Sequence, residues 1–392
     1  MKKIIQINTV CNESTGKIMS QIQRKCNEEG FITLSIFGRR KKYDNLNSVK
    51  VGGFISFWYH VIITTLFDLH GLGSYFKTKK MIKILKNENP DIIHLHNLHG
   101  YYLNYPLLMK YLKNEYKGQV FWSLHDCWAM TGHCCHFVNV KCNKYETQCF
   151  KCPNKKKYPI SLFYDNSRNN YKLKKECFTN VPNLKIIVPS KWLEKIVKKS
   201  YLKEYPIYVI PHGIDLNVFK YTYDENIKKT YNMGNKKILL GVASNWTESK
   251  GFFEFIELSK KISDDKLIVL VGVNTKQLRI LKKYKNILGI KKTNSKEELV
   301  KLYSMADVFI NPSKEETFSL VTIEALACRT PIIVAKNTPM EEFVNDNNGC
   351  LFEEKIGLEH IDKVLNLKKY DFSNVKKYNE ENMKENIINL YK

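Results

Sequence analysis

Hydrophobic positions along this chain fall into two alternating kinds of stretch. Short runs rich in β-branched residues, KIIQIN (3–8), FITLSIFG (31–38), DIIHLHN (91–97), QVFWSLHD (119–126), LKIIVPS (184–190) and PIYVIPHG (206–213), are separated by longer amphipathic segments. That rhythm predicts buried parallel strands joined by helical crossovers. It lapses over a polar stretch around residues 220–233 and restarts with KKILLGVAS (236–244), KLIVLVGV (266–273), DVFINPS (307–313) and TPIIVAK (330–336). The expected fold is α/β: two Rossmann-like, doubly wound parallel-sheet domains in tandem, covering 1–205 and 206–375. A cysteine-rich insert at 127–153 interrupts the first, and a closing helix at 376–392 is placed to return to it.

The length of 392 residues agrees with two domains of about 150–200 residues each. Apolar content of 43% with 26% charged residues is that of a folded protein, without a linker or low-complexity tract. The chain opens MKKIIQIN directly into a strand, without the pattern of a secretory signal, so a cytoplasmic location is expected. The uncharged run VGGFISFWYHVIITTLF (51–67) contains a histidine and two glycines and falls short of spanning length, which predicts a buried or interfacial helix. The net charge of +24 calls for anionic partners. Because the lysines are spread along the whole chain and the aromatic residues do not alternate with them, phosphorylated small molecules or the anionic inner membrane surface fit better than nucleic acid.

Doubly wound sheets gather ligands at the carboxyl ends of their strands, so the residues following each run are the candidates for chemistry. CNESTGKI (11–18) lacks the glycine and hydroxyl of a P-loop. What survives is a strand, a turn through Gly16 and a helix beginning near Lys17, whose free amides can face an anionic or hydroxylated ligand. GVASNWTESKGF (241–252) repeats the design, with Ser244 in the loop and Lys250-Gly251 opening a helix. A lysine there can balance a pyrophosphate charge without a divalent metal. In NPSKEETFSLVTIEALAC (311–328), Glu316 precedes an apolar helix starting near Ser319 or Leu320, and Glu324 lies inside it. Anionic groups fit the unpaired amides of that helix start, and a carboxylate within so apolar a helix needs a partner.

The Gly16 loop, DIIHLHN, VPS (188–190), PHGID…F (211–219), Lys250-Gly251 and Glu316-x7-Glu324, in this order over nearly the whole chain, resemble the retaining glycosyltransferases of family four, with the GT-B fold. The resemblance implies that Lys250 contacts the donor pyrophosphate, Glu324 holds the ribose hydroxyls and Glu316 lies near the donor sugar. It implies that the amides of Phe318, Ser319, Leu320 and Val321 cradle the phosphates, and that His125, ending the fourth run, approaches the sugar from the first domain. The donor base would rest near residues 287–294. Two departures stand out. Ser244-Asn245 occupies the place of a frequent arginine, so that Lys250 acts alone or another basic residue substitutes. Ser319 occupies that of a frequent glycine, which a serine tolerated at a helix start makes mild.

TGHCCHFVNVKCNKYETQCFKCP (131–153) places Cys134, Cys142, Cys149 and Cys152 so that the last two form a C-x-x-C, the usual half-site of a structural zinc. A cytosolic chain does not rely on disulfides, so the alternatives are a four-cysteine zinc clip or reduced thiols. Cys135, His133 and His136 compete as ligands. A subgroup of the family carries a TGHC…C…C..CP insert after the HD of the fourth strand, and this stretch is similar to it.

The resulting expectation is a glycosyltransferase without a catalytic metal, working in a cleft closed by hinge motion. It would transfer a sugar from a UDP- or GDP-linked donor to a glycan or lipid-linked acceptor of surface polysaccharide synthesis. The main catalytic term would be stabilisation of phosphate charge by Lys250 and helix amides. A glycosidase pair is disfavoured because a carboxylate one turn into a helix is poorly placed as a nucleophile. The alternative from another class, a zinc-containing nucleic-acid-binding protein, accounts for charge and cysteines but for nothing in 307–335.

Overall fold

The computed structural model describes residues 1–12, 14–40 and 46–392. Glu13, within the first candidate loop, lies outside the described residues. The chain divides into two compact units, one of Met1–Pro211 with Lys384–Lys392 and one of His212–Met383. The first unit holds β1 (Lys3–Val10), β2 (Ile32–Arg39), β3 (Ser48–Lys50), β4 (Ile92–Leu95), β5 (Gln119–Ser123), β6 (Leu184–Val188) and β7 (Ile207–Val209). They form one sheet in the order β3-β2-β1-β4-β5-β6-β7, with every pairing parallel. The second holds β8 (Lys237–Val242), β9 (Lys266–Val271), β10 (Ile287–Ile290), β11 (Val308–Asn311), β12 (Ile332–Ala335) and β13 (Gly349–Phe352), in the order β10-β9-β8-β11-β12-β13, again all parallel.

Helices on both faces bury the central strands, which is why these read as apolar runs without alternation. In the second unit successive residues feed two separate cores. Ile238, Leu240, Val269, Phe309 and Val334 pack on one face, and Leu239, Ile268, Val308, Ile310 and Ile333 on the other. In both sheets the strand order reverses at the centre, between β1 and β4 and between β8 and β11. Loops leaving those neighbouring strands are forced apart there and leave a crevice.

Three details bear on the sequence reading. The division falls at Pro211, not at 205, because β7 pairs with β6 from Ile207 to Val209 and belongs to the first sheet. At the carboxyl end the helix Glu380–Tyr391 buries Tyr391, whose hydroxyl meets Nδ1 of His94 at 2.5 Å, and Lys384–Lys392 accordingly counts with the first unit. The helix Ser14–Glu28 starts ahead of Lys17 and contains Gly16, so Gly16 is not the turn. A Cβ at Gly16 would stand 2.7 Å from the backbone of Val10 and Cys11, so glycine lets the first helical turn lie against the end of β1. Among the described residues, no helix is long and apolar enough to cross a membrane.

Candidate functional site

In the second unit the crevice between β8 and β11 collects the expected residues. Gly251 caps the helix Phe252–Ser259 at φ +82°, and a Cβ there would stand 2.1 Å from the ring of Pro312, so the β8 loop can close on the β11 loop only with glycine. That contact brings the Lys250 ammonium onto Oε1 of Glu316 as an ion pair, with the carboxylate largely shielded from solvent and the lysine one-third exposed. Ser244 is exposed further back in the same loop.

The β11 loop is fastened by Asn311. Its amide donates to Ser319 Oγ at 3.0 Å and Thr322 Oγ1 at 3.1 Å, and its Oδ1 accepts from the Ser313 amide at 3.1 Å. Ser319 stands at φ +90° before the helix Leu320–Ala327 and makes no capping bond to it. The expectation that serine is accepted there as a helix cap is therefore corrected. The position demands the left-handed backbone that favours glycine, and the hydroxyl offsets the strain through Asn311 and a 2.9 Å bond with Thr322. Because no side chain caps the helix start, the amides of Leu320 and Val321 open it beside the Lys250–Glu316 pair. Phe318 is buried, edge-on to His212 and Phe343, so only its backbone is available to a ligand. One turn into the helix, Oε2 of Glu324 accepts from the hydroxyl of Tyr303 at 3.0 Å. Burial, then the neighbouring Glu324 charge, push the Tyr303 phenol well above its usual range, so it stays a donor. An open cavity of 630 Å³ at the other end of this helix, lined by Leu326, Arg329 and Tyr370 among others, contains none of the expected residues.

In the first unit, His125 follows β5 and stacks on His96 with ring centroids 5.4 Å apart, its Nε2 3.1 Å from Nδ1 of His96. His96 bonds onward to Gln6 Oε1 at 3.1 Å. Beside them Asp126 Oδ2 meets His99 Nε2 at 2.6 Å, and Oδ1 accepts from the Trp128 amide at 2.8 Å. Burial works to raise the Asp126 carboxyl, but the charge and hydrogen bond of His99 outweigh it and hold the group well below the carboxylate range. His99 is a site residue that strand patterning misses, although its place in NLHG after β4, next to β5, carries the signal.

Cys134, Cys142, Cys149 and Cys152 line one small cavity of 20 Å³ together with His133. The Cys134 thiol bonds to Cys152, which holds the Cys152 thiol below its usual value, and backbone amides of Gly132 and Asn154 bond to the sulfurs of Cys149 and Cys152. His133 is buried, with Nδ1 2.5 Å from the buried carboxylate of Asp68 and no hydrogen-bond partner at Nε2. Among the described residues, however, the one group of three metal-binding side chains whose donor atoms all lie within 4.8 Å is His99, Asp126 and Cys135. The four cysteines share a cavity without converging that closely.

Residues 57–218 match the family model for Glycosyltransferase Family 4, and residues 223–386 that for Glycosyl transferases group 1. A processive diacylglycerol alpha-glucosyltransferase of Acholeplasma laidlawii is 26% identical over 219 residues, 53% of this chain and 61% of that protein. An N,N'-diacetylbacillosaminyl-diphospho-undecaprenol alpha-1,3-N-acetylgalactosaminyltransferase of Campylobacter jejuni is 29% identical over 209 residues, 48% of this chain and 55% of that protein. The chain thus spans about three-fifths or less of the length of these two relatives. Among solved structures, that of Anabaena Alr3699/HepE in complex with UDP and glucose superimposes with a TM-score of 0.67 at 13% identity, covering 100% of this chain and 99% of that one. At such identity the likeness speaks for the fold alone. One family model falls on each sheet-bearing unit, and the sheets themselves have the Rossmann-like order, so the chain belongs to the family-four glycosyltransferases of GT-B fold.

Proposed function

We propose that this protein transfers a sugar, with retention of its anomeric configuration, from a UDP- or GDP-linked donor to a glycan or lipid-linked acceptor in surface polysaccharide or glycolipid synthesis. The observation that carries the reading is the convergence of Lys250 and Glu316 in front of the uncapped start of the helix Leu320–Ala327. In this reading Lys250 and the amides of residues 318–321 hold the diphosphate, and the charge growing on it as the sugar leaves strengthens those bonds in the transition state. Glu324, already oriented by Tyr303, takes the ribose hydroxyls. Glu316 releases Lys250 to the diphosphate and turns to the sugar. His125, backed by His96, approaches the sugar as a group of residues 1–211.

Names of relatives support the two halves of the reaction. The Anabaena protein holds UDP and glucose, and the Acholeplasma and Campylobacter enzymes are named for diacylglycerol and undecaprenyl acceptors. The nucleic-acid alternative draws no support from any of these comparisons. A metal has a different role in the proposal: the cysteine insert of the subgroup would hold one structural zinc through Cys134, Cys142, Cys149 and Cys152. Support comes from their common cavity, from amide hydrogens already directed at two of the sulfurs, and from His133, which lines the same cavity and whose buried Nε2 has no hydrogen-bond partner. Its effect would be to order the chain after His125, not to act on the sugar. We place the protein in the cytoplasm at the inner face of the membrane, where donor and lipid-linked acceptor meet.

The test is a thermal-shift series with UDP, GDP and their sugars on the protein and on Glu324→Ala. A saturating donor at 100 times its Kd stabilises by about 2.7 kcal/mol, so one nucleotide class raises the midpoint of the parent protein and loses most of that effect in the variant. Equal shifts in both proteins would remove Glu324 from the donor site, and no shift with any nucleotide would overturn the reading.

A further inference from the structure

The helix Phe54–Phe67 has its polarity reversed for a helix on a water-soluble protein. Its buried residues are His60 and Thr64, and both are satisfied inside: His60 Nε2 accepts from the Gly71 amide at 2.9 Å, Nδ1 meets Ser74 Oγ at 3.0 Å, and Thr64 donates to the His60 carbonyl at 2.7 Å. The outward face is apolar instead. Phe54 and Ile55 are 78% and 84% exposed, and Trp58, Tyr59 and Ile62, the next positions along that face, are exposed as well. No residue of the helix is charged. Folding normally turns the apolar stripe inward, so a helix held by a polar inner face and showing aromatic rings to solvent is built for another surface.

Neighbouring segments enlarge the patch. The amide of Leu162 donates to the Thr65 carbonyl at 2.9 Å, laying a loop with exposed Ile160, Leu162, Phe163 and Tyr164 along the helix. At the other end Ser56 Oγ meets Ser74 Oγ at 3.0 Å, bringing up the exposed Tyr75 and Phe76 at the start of the helix Tyr75–Glu88. Basic residues surround this area: Lys79, Lys80 and Lys83 are exposed on that second helix, and Lys151, Lys156 and Lys157 precede the loop. Over 54–86 and 151–164 the only acidic residue is Asp68, which is buried against His133.

We infer that this face docks on an anionic phospholipid surface, with the aromatic and aliphatic side chains in the interface and the lysines against the headgroups. Charge decides the occupant. Two copies of a chain carrying +24 would bring the same lysine-bordered patch together and repel, whereas a negatively charged leaflet neutralises the lysines as it buries the apolar residues. The inference deepens the lipid-linked acceptor reading and rests on it for its biological sense, but its experiment reads membrane binding, whereas that reading is tested by nucleotide-induced thermal shift.

The experiment is co-sedimentation of the full chain with vesicles of phosphatidylglycerol and phosphatidylethanolamine, and with vesicles of phosphatidylcholine alone, at physiological salt. Emission is followed in parallel, because Trp58 is the one exposed tryptophan among the described residues. Binding to the anionic vesicles with a blue shift is expected, with at least about tenfold weaker binding both to neutral vesicles and by Ile55→Ser/Phe163→Ser, which removes two side chains that the folded chain leaves in water. Lys79→Glu/Lys80→Glu should weaken binding in the same direction, and Phe54→Ser/Phe76→Ser serves if the first pair fails to fold. Undiminished binding by the serine variants, equal binding to neutral vesicles, or a solution dimer abolished by the serine substitutions would each overturn the inference.

Discussion

Tyr303→Phe removes one oxygen from the second unit and tests how Glu324 is held. The phenol is fully buried and donates to Oε2 of Glu324 at 3.0 Å, while its own backbone carbonyl accepts from Thr330, a bond the substitution leaves alone. A hydrogen bond to a charged group contributes about 1.5–3 kcal/mol, against about 0.5–1.5 kcal/mol between neutral groups. Replacing Glu324 by Gln keeps the shape and removes the charge, so a cycle of Tyr303→Phe, Glu324→Gln and the double variant isolates the charge-dependent part. The expected coupling is about 1 kcal/mol. Urea unfolding followed through Trp246, the single tryptophan of the second unit and itself buried, reads the stability of that unit, with Trp246→Phe as the spectral blank. Calorimetry with the nucleotide diphosphate that shifts the parent protein reads the site. There Tyr303→Phe should weaken binding severalfold, because an unheld carboxylate must be ordered when the ribose arrives. A coupling below about 0.5 kcal/mol with unchanged nucleotide affinity would mean that Glu324 is oriented by other contacts and that the phenol only fills space.

Two further outcomes follow from the first unit and from buried histidines. Protein purified without added metal should contain close to one zinc per chain, and Cys149→Ser should lose it together with thermal stability of the first unit; metal-free protein of normal stability with four titratable thiols refutes the clip. Burial lowers His60 and His212 to about 4 and, with the nearby His125 charge, His94 to about 3. The unfolded chain therefore binds protons that the folded chain refuses, so their stabilising effect is complete above the unfolded value of about 6.5 and is lost as pH falls toward 4, at up to about 1.4 kcal/mol per pH unit per histidine. Urea midpoints at pH 7.5, 6 and 5 should drop accordingly, with a shallower slope in His60→Gln, and an identical slope in that variant would exclude His60 from the effect.

The parallel sheets were legible because strands buried on both faces are apolar throughout, and the placement of Lys250 and Glu316 in the loops after β8 and β11 was legible because each follows an apolar run. The strands that escaped are short. Ser48–Lys50 offers three residues, and Ile287–Ile290 and Gly349–Phe352 offer four each, two of them interrupted or opened by glycine. Contacts that orient the site escaped for a different reason. Tyr303 lies in KLYSM, an ordinary amphipathic pattern, and its reach to Glu324 exists only because two helices pack side by side. Ser319 misled in the same way, since a serine before a helix reads as a cap whatever its backbone angle, and only the φ of +90° and the bonds to Asn311 and Thr322 show what the hydroxyl does.

The helix Phe54–Phe67 marks where pattern reading stops. The segment carries no charge, and although Ser56, His60 and Thr64 recur at four-residue spacing along one face, the sequence limits it to a buried or interfacial position without telling which face turns inward. What decides is the supply of partners. His60 is anchored by Gly71 and Ser74, residues that follow the helix in the chain and fold back under it, and this leaves the aromatic face no core to enter. Three polar bonds worth about 1 kcal/mol each would be a poor exchange for burying Phe54, Ile55 and Trp58, at about 1.5–3 kcal/mol apiece, if water were the only alternative. The arrangement becomes consistent with folding energetics when those side chains find an apolar phase elsewhere, and the lysines bordering them identify which surface that is.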